Sequence, residues 1–292
     1  MGLGSEPVWR LPGTGGIAIA LSVIAAAPAA ASGSADVAAL QVALRAERLY
    51  GGAVDGIGGH ATRLAVRRFQ ARRGLPADGV AGPRTRRALG RRGRPRLGAR
   101  PLTPGVRGWD VAAMQFLLAD HGFPLGQTDG GLGPRTIAAL RRFQSWAGLA
   151  ADGVAGRATL AALRRPPPRS LLRFARPVAA PVGDRFGARD NGFHPGLDLV
   201  AGFGAGVHAA ASGCVVAAGW SPGGYGNLVV LRHSQGMTSW YAHLARVAVR
   251  RGSCVGVGAV LGTVGATGRA SGPHLHFELR LRGAAVNPLP AL

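Results

Sequence analysis

Histidine is concentrated in the last third of the chain, in patterns that could hold a metal ion. Six of the eight histidines follow residue 190. In residues 272–278, Gly-Pro-His-Leu-His-Phe-Glu, the two-residue period of a β-strand places His274, His276 and Glu278 on one face. Two neighbouring imidazoles can share one metal ion, although a lone His-x-His pair is more often structural. This motif alone therefore leaves both interpretations open.

A second motif, at residues 194–198, offers further ligands. A turn through Pro195-Gly196 could bring His194 and Asp198 to the same ion. Zinc accepts imidazole nitrogen and carboxylate oxygen, and a catalytic zinc site has three protein ligands and one position open to water. Two histidines and one aspartate meet that count. The H-E-x-x-H motif is absent, so a spare histidine would have to accept the proton of the attacking water.

Taken with Tyr241-Ala242-His243-Leu244, these motifs resemble the lysostaphin-type zinc metallopeptidases. Those proteins are secreted endopeptidases that cut the peptide part of peptidoglycan. The resemblance covers residues 177–288 and implies a compact antiparallel β domain with a groove over one Zn²⁺ ion. The site residues that it implies are the zinc ligands His194, Asp198 and His276 and the catalytic residues His243 and His274. The division of labour between the two catalytic histidines stays open.

Other charged and histidine residues near these motifs have two interpretations each. Glu278 could accept a hydrogen bond from a ligand histidine or lie on the surface. Arg189 and Arg280 could meet carboxylates of the stem peptide or be solvated. His208 and His233 match no ligand position, and we expect them to be structural or to lie at the rim of the site.

A tandem repeat occupies the front half of the chain. Residues 36–89 align without a gap with residues 110–163, and the pattern predicts three short helices in each copy, the first with Asp36 as its N-cap. The shared signature is Leu40-Gln41, Asp55-Gly56, Thr62, Phe69-Gln70, Gly74-Leu75, Asp78-Gly79-Val80, Gly82 and Thr85, with Met114 in place of Leu in the second copy. It resembles the peptidoglycan-binding domain of bacterial wall hydrolases, a three-helix module.

The acidic residues common to both copies are explained by a helix cap and by Asp-Gly turns, which leaves no catalytic set of residues. We therefore interpret the repeats as binding modules rather than as enzymes. Two copies favour avidity, since the second weak contact becomes intramolecular. His60 and His121 lie in the repeats without aligning with each other, so we expect both on the surface.

The predicted organisation is multidomain, α plus β. Two three-helix peptidoglycan-binding-like modules are followed by an antiparallel β-sheet, lysostaphin-like peptidase domain. The predicted segments are a signal peptide (1–31), module 1 (36–90), a linker (91–104), module 2 (105–164), a Pro/Arg-rich linker (165–176) and a zinc metallopeptidase domain (177–292).

The N-terminus has the order of a secretory signal peptide. Arg10 precedes an apolar run over residues 15–27, and Ala29-Ala30-Ala31 is an A-x-A site. Cleavage would place the protein in the cell wall or periplasm, or outside the cell, with no stable membrane association. An uncleaved anchor is the alternative. In an exported protein the two cysteines, Cys214 and Cys254, favour one disulfide, with two buried free thiols as the alternative.

Net charge points to an anionic partner. The 292 residues include 35 basic and 13 acidic ones, for a formal net charge of +22. Such a chain is attracted to polyanions. Peptidoglycan with anionic cell-wall polymers fits an exported monomer, whereas export argues against nucleic acid. A solvated basic surface with no dedicated partner is the plain alternative.

Three functions follow for comparison. The first is a secreted zinc-dependent endopeptidase that hydrolyses amide bonds in peptidoglycan stems or cross-links. The second is a catalytically idle wall-binding scaffold or activator of another hydrolase, which the five retained motif residues argue against. The third is a glycan-cleaving enzyme, which needs two carboxylates flanking the bond. The acids available for that in residues 177–292 are Asp184, Asp190, Asp198 and Glu278.

Overall fold

The computed structural model describes residues 33–190 and 192–292. The predicted signal peptide, residues 1–31, lies outside the described residues. Within the described part of the chain, no helix combines the length and the apolar character that crossing a membrane requires.

From residue 33 to residue 164 the structure has six α-helices in two sets of three, as predicted. The helices of module 1 are α1 (Ala35–Ala46), α2 (His60–Arg72) and α3 (Pro83–Ala88), and those of module 2 are α4 (Trp109–Asp120), α5 (Pro134–Trp146) and α6 (Arg157–Leu163). Each set packs around an apolar core, which includes Phe69 in module 1 and Phe143 in module 2. Residues of α4 also enter the core of module 1.

A buried glutamine explains the repeated signature. The side-chain amide of Gln41 donates to Asp55 (2.7 Å) and to Thr62 (3.2 Å), while its oxygen accepts the Gly56 amide at 2.9 Å. The same arrangement surrounds Gln70, Gln115 and Gln144, with amide-to-aspartate distances of 2.7, 2.9 and 2.8 Å. Each module therefore contains the unit twice, and the signature residues hold the Asp-Gly turns in place.

The predicted N-cap role of Asp36 is wrong. Helix α1 follows Ser34 and has no side-chain cap. The Asp36 carboxylate instead accepts from the Trp109 indole at 3.3 Å and lies 3.8 Å from the Arg86 guanidinium. Because Trp109 is buried in the core of module 1, this acid helps to join the two modules.

His121 is also not a surface residue. Its side chain is buried beside Phe143, with ring centroids 5.4 Å apart, and Nδ1 lies 2.9 Å from the Leu117 carbonyl oxygen. Burial lowers the pKa of His121. His60, by contrast, is exposed at the start of α2.

Both predicted linkers end in anchored residues. Leu102, from 91–104, is fully buried in the core of module 2 and pairs with Ala155 through two backbone hydrogen bonds of 3.2 and 2.9 Å. Phe174, from 165–176, is buried in the core of the following domain, and its amide donates to the Ala291 carbonyl at 2.9 Å. Packing of that domain therefore begins before residue 177, because Phe174 and Leu172 both contact its apolar core.

The second half is an antiparallel β domain, in agreement with the predicted class. Its strands are β1 (Gly187–Arg189), β2 (Gly192–His194), β3 (Leu197–Leu199), β4 (Gly206–His208), β5 (Gly213–Ser221), β6 (Gly226–Arg232), β7 (Met237–Val247), β8 (Cys254–Val255), β9 (Val260–Val264), β10 (Leu275–Leu281) and β11 (Ala284–Val286). Strands β1 and β2 form a separate hairpin. The main sheet has the order β11-β10-β7-β6-β5-β8, with β3 also on β10, β9 also on β7 and β4 on β9.

One face of the main sheet covers the apolar core of the β domain, in which Tyr241 and Phe277 are fully buried. Cys214 and Cys254 lie directly opposite each other on β5 and β8 and form the predicted disulfide. The bridge ties the short edge strand β8 to the sheet.

Module 2 packs directly on the β10–β11 hairpin. The Trp146 indole donates to the Leu281 carbonyl at 3.1 Å, and the Ala285 amide donates to the Gly122 carbonyl at 3.1 Å. Ala284 of the hairpin is fully buried in the apolar core of module 2. The contact thus involves strand β10, whose other end carries His276.

Gly122 and Gly148 provide a matched pair for testing this contact. Both follow a helix of module 2 with positive φ, +82° and +72°, but an added Cβ would overlap the Ala285 carbonyl only at Gly122. An alanine costs roughly 1–2 kcal/mol at either position from φ alone. We expect Gly122→Ala to lose a further ~1–3 kcal/mol through the overlap, measured by denaturant unfolding. Equal losses in the two variants would contradict the contact.

Candidate metal site and catalytic cleft

Strand register brings the metal-binding candidates together. Asp198 on β3 and His276 on β10 are direct partners in the sheet, and β10 also pairs with β7 next to His243. His194 ends β2 and reaches the same place through a tight turn at Gly196. A Cβ on Gly196 would overlap the backbone of Phe277, so this close approach requires glycine.

Three donor atoms form a small triangle at the centre of the cluster. His194 Nε2 lies 3.0 Å from His276 Nδ1 and 3.1 Å from Asp198 Oδ1, and His276 Nδ1 lies 2.8 Å from the same oxygen. The three residues form the metal-binding cluster found among the described residues. Donors bonded to one tetrahedral zinc at about 2.1 Å would lie roughly 3.4 Å apart. The observed triangle is therefore close to the size that a zinc ion needs.

Outer hydrogen bonds fix which nitrogen of each imidazole faces the triangle. His194 Nδ1 donates to the Arg185 carbonyl at 2.9 Å, and His276 Nε2 donates to the Glu278 carboxylate at 2.9 Å. In the neutral rings the inward nitrogens are then lone-pair acceptors. Two nitrogen lone pairs and a carboxylate oxygen converge, and only a cation satisfies all three at once. The donor set thus fits zinc.

Electrostatics in the triangle favour positive charge. Burial opposes ionisation of Asp198, but hydrogen bonds from His194 and His276 outweigh it and hold the pKa of this carboxyl well below its usual range. Burial likewise disfavours the charged form of His276, yet its bonds to Asp198 and Glu278 raise its pKa to about 9. The site therefore attracts a cation, either a proton or a metal ion.

His243 and His274 flank the triangle. Their ring centroids are 4.8 Å apart, and the ring of His243 lies 5.8 Å from that of His276. His274 Nε2 lies 3.7 Å from Asp198 Oδ1. The outer nitrogens are again held by carbonyl oxygens, His243 Nδ1 by Thr267 at 2.7 Å and His274 Nδ1 by Gly272 at 2.9 Å. Each ring then keeps Nε2 as a proton acceptor.

The backbone of His243 is in the left-handed region, with φ of +61°. This conformation is uncommon for a residue other than glycine and marks positions held by their surroundings. The His243 amide donates to the Tyr225 carbonyl at 2.8 Å. Burial lowers the pKa of His243, so the ring is neutral at neutral pH and can accept a proton.

A buried charged cluster supports His276 from behind. Glu278 is fully buried, which rules out its interpretation as a surface residue. Besides the His276 ring, its carboxylate accepts from Arg280 Nε at 2.7 Å and from the Tyr225 hydroxyl at 2.8 Å. The Arg280 guanidinium lies 3.9 Å from the centre of the Trp240 ring. Burial opposes ionisation of Glu278, but His276 and Arg280 hold its pKa at about 2.

Neither arginine near the motifs is simply solvated. Arg280 belongs to the cluster just described, and Arg189 Nη2 binds Asp198 Oδ2 at 2.7 Å and Asp184 at 2.9 Å. Arg189 thus holds the oxygen of Asp198 that faces away from the triangle. His233 lies outside the cluster, as expected, where it bonds to the Ser212 carbonyl and the Ser239 hydroxyl at 2.8 and 2.7 Å.

Sequence reasoning identified Glu278 as one supporting residue but missed the others. Tyr225 lies in the glycine-rich segment 223–227, and nothing in its spacing indicated a contact with Glu278. The carbonyl groups of Arg185, Thr267 and Gly272 have no sequence signal at all, because any residue type supplies a carbonyl.

Two family models match the chain. Residues 192–288 match "Peptidase family M23", and residues 33–89 and 107–163 match "Putative peptidoglycan binding domain". The chain therefore carries a peptidase family M23 domain preceded by two peptidoglycan-binding domains.

Similar proteins include enzymes and an activator. The chain is 46% identical over 96 residues to "DD-carboxypeptidase/endopeptidase Mpg" of Neisseria meningitidis serogroup B, covering 33% of this chain and 22% of that protein. It is 40% identical over 113 residues to "Murein hydrolase activator NlpD" of Escherichia coli K12, covering 39% and 29%. The matches thus span less than a third of either relative.

Among solved structures, the catalytic domain of lysostaphin from Staphylococcus simulans is 34% identical. That match covers 38% of this chain and 90% of the solved chain, with a TM-score of 0.36.

Proposed function

We propose that the protein is an exported, zinc-dependent endopeptidase that hydrolyses amide bonds in the peptide stems or cross-links of bacterial peptidoglycan. It would act in the cell wall or periplasm, held on its substrate by the two modules. The observation that supports this best is the convergence of two imidazole nitrogens and one carboxylate oxygen, from His194, His276 and Asp198, within 3.1 Å of one another. A zinc ion would be held by all three atoms at once.

The proposed mechanism assigns a task to each side chain. His194, Asp198 and His276 would hold the zinc ion, which polarises the scissile carbonyl and lowers the pKa of a water towards ~7. His243 and His274 would accept the proton of the attacking water and pass it to the leaving amine. Thr267 and Gly272 would keep Nε2 of these rings available by binding Nδ1. Arg189 would fix the orientation of Asp198.

Glycan cleavage receives little support from the acids of the β domain. Asp198 is engaged by two imidazoles and Arg189, and Glu278 is fully buried. Asp184 binds Arg189 at 2.9 Å. Among the four acids considered, all within the described residues, only Asp190 forms no ion pair, so no free pair of carboxylates is left to flank a glycosidic bond.

The activator alternative is favoured by one finding, the similarity to a murein hydrolase activator. An idle site would have no need for four imidazoles that each have one nitrogen held by an outer oxygen, so we place this alternative second. The two candidate functions can be distinguished because only the endopeptidase would itself hydrolyse peptidoglycan.

The deciding experiment incubates the purified protein with peptidoglycan and measures new free amines and new reducing ends. We expect amines to appear, and to disappear with a chelator and with His194→Ala. Equal amine release in all three samples would contradict the zinc mechanism. Reducing ends without amines would indicate glycan cleavage, and bound zinc without turnover on several wall types would indicate the activator.

A further inference from the structure

An open cleft includes Gly268, the chain neighbour of Thr267, whose carbonyl holds the His243 ring. The cleft is lined by Trp220 and Ser221 at the end of β5, by residues 222–224 of the connection to β6, and by Gly268 and Arg269 of the loop after β9. Neither Trp220 nor Arg269 takes part in the metal cluster or in the support of His276.

The cleft and the catalytic residue His243 share their supports. Thr267 binds the His243 ring through its carbonyl and the Asn227 amide through its hydroxyl, at 2.7 and 3.0 Å. Two residues further on, the Arg269 amide donates to the Gly224 carbonyl at 2.8 Å. The loop that holds the His243 ring is therefore the same loop that forms one wall of the cleft.

Trp220 supplies a flat apolar surface to this cleft. It is 66% exposed at the end of β5, opposite Asn227. The other tryptophan of this sheet region, Trp240, is covered by the Arg280 guanidinium. A large exposed aromatic side chain beside a cleft is typical of a ligand contact. Contact with a ligand removes the apolar face of the ring from water, and the indole N–H can donate a hydrogen bond.

Arg269 supplies a positive charge at the same cleft. Its guanidinium donates to the Gly223 carbonyl at 3.1 Å, which fixes its position, and the side chain remains exposed. Within residues 33–190 and 192–292, no carboxylate forms a salt bridge with it. A fixed guanidinium without a carboxylate partner is suited to bind a carboxylate of a ligand in two-point geometry.

We infer that the cleft binds one sugar–peptide unit of the wall polymer, with a pyranose ring on Trp220 and a stem-peptide carboxylate on Arg269. This inference rests on the proposed function, since peptidoglycan is the polymer that joins amino sugars to short acidic peptides. It adds a second binding site on the substrate, separate from the two modules.

The test measures binding without turnover, so that it can fail independently of hydrolysis. The full chain is titrated with three probes: a disaccharide–peptide from digested wall, an uncharged chito-oligosaccharide and a free stem peptide. The variants are Trp220→Ala and Arg269→Gln. The matched controls are Phe203→Ala, whose ring is 71% exposed elsewhere in the domain, and Arg250→Gln, which is also exposed.

Each variant has a distinct expected pattern. Trp220→Ala should weaken binding of the disaccharide–peptide and of the oligosaccharide about tenfold. Arg269→Gln should weaken binding of the disaccharide–peptide and of the stem peptide about tenfold. A tenfold loss corresponds to ~1.4 kcal/mol in each case. With polymeric wall as substrate, both variants should raise KM, while kcat stays within about twofold of the unmodified protein. That pattern indicates a loss of substrate-binding energy. An unchanged melting temperature would show that the loops are intact.

Two outcomes would overturn the inference. The first is binding of all probes within twofold of the Phe203→Ala and Arg250→Gln controls. The second is a loss of probe binding in Arg269→Gln alone that disappears at high salt. Such a loss would show only a general attraction of the basic protein for anions. If probe binding changes as expected but no hydrolysis occurs, the inferred binding site is supported and the endopeptidase proposal is contradicted.

Discussion

Replacing His276 with alanine should remove the metal ion and abolish hydrolysis. His276 Nδ1 is one corner of the triangle, 2.8 Å from Asp198 and 3.0 Å from His194. The loss in zinc affinity should exceed the roughly 10–100-fold that the loss of an outer partner costs. Because a metal stabilises the transition state by several kcal/mol, we expect the rate to fall at least on the order of a thousandfold.

Metal content of the purified variant, measured by elemental analysis, and amine release from wall material check this expectation. His194→Ala should behave in the same way without disturbing Glu278, to which His194 is not bonded. His208→Ala is the matched control, because this partly buried histidine of β4 lies outside the cluster. Full zinc content in His276→Ala, or equal losses in His208→Ala, would contradict the proposed ligand set.

Glu278→Ala is expected to have the largest effect on stability. The change leaves the Arg280 guanidinium without its 2.7 Å partner beside a buried strand. Breaking one side of a buried ion pair typically costs about 3–5 kcal/mol in the free energy of unfolding. His276 also loses the acceptor of its Nε2 proton, which should weaken zinc binding by roughly 10–100-fold.

Two further variants separate the charge from the hydrogen bond. Glu278→Gln keeps an acceptor for His276 but not the charge, so metal affinity should recover more than stability. Adding Arg280→Met removes the unpaired cation and should restore part of the unfolding free energy, giving a double-mutant coupling. Denaturant unfolding and zinc titration against a competing chelator measure the two quantities. Additive losses in the double variant would show that the ion pair contributes nothing.

The parts of the site that follow from local periodicity were predictable. The alternation in 272–278 predicted His274 and His276 on one strand, whereas in the structure His276 lies in β10 and His274 precedes that strand, in an isolated bridge to Gly265. The turn at Pro195-Gly196 explained the approach of His194 and Asp198. The structure brings all five predicted side chains into one cluster, while their chemical roles remain predictions.

The parts that depend on distant packing were not predictable. Burial of Arg280 requires Trp240 from a neighbouring strand, and burial of His121 requires Phe143 from the next helix. Asp36 has the sequence position of a cap, but an indole and a guanidinium from other helices compete for its carboxylate. In each case a tertiary contact overrides a local preference, and a single sequence contains no record of that contact.

The contact between module 2 and the β10–β11 hairpin would limit which bonds of the wall the proposed enzyme can reach. An enzyme on a loose tether can reach any bond within a sphere around its anchor. Here module 2 is held by direct contacts instead, since Trp146 binds β10, the strand that carries His276, and Gly122 binds the adjacent strand β11. If the modules anchor the polymer as proposed, this contact fixes the distance between the anchored polymer and the proposed metal site.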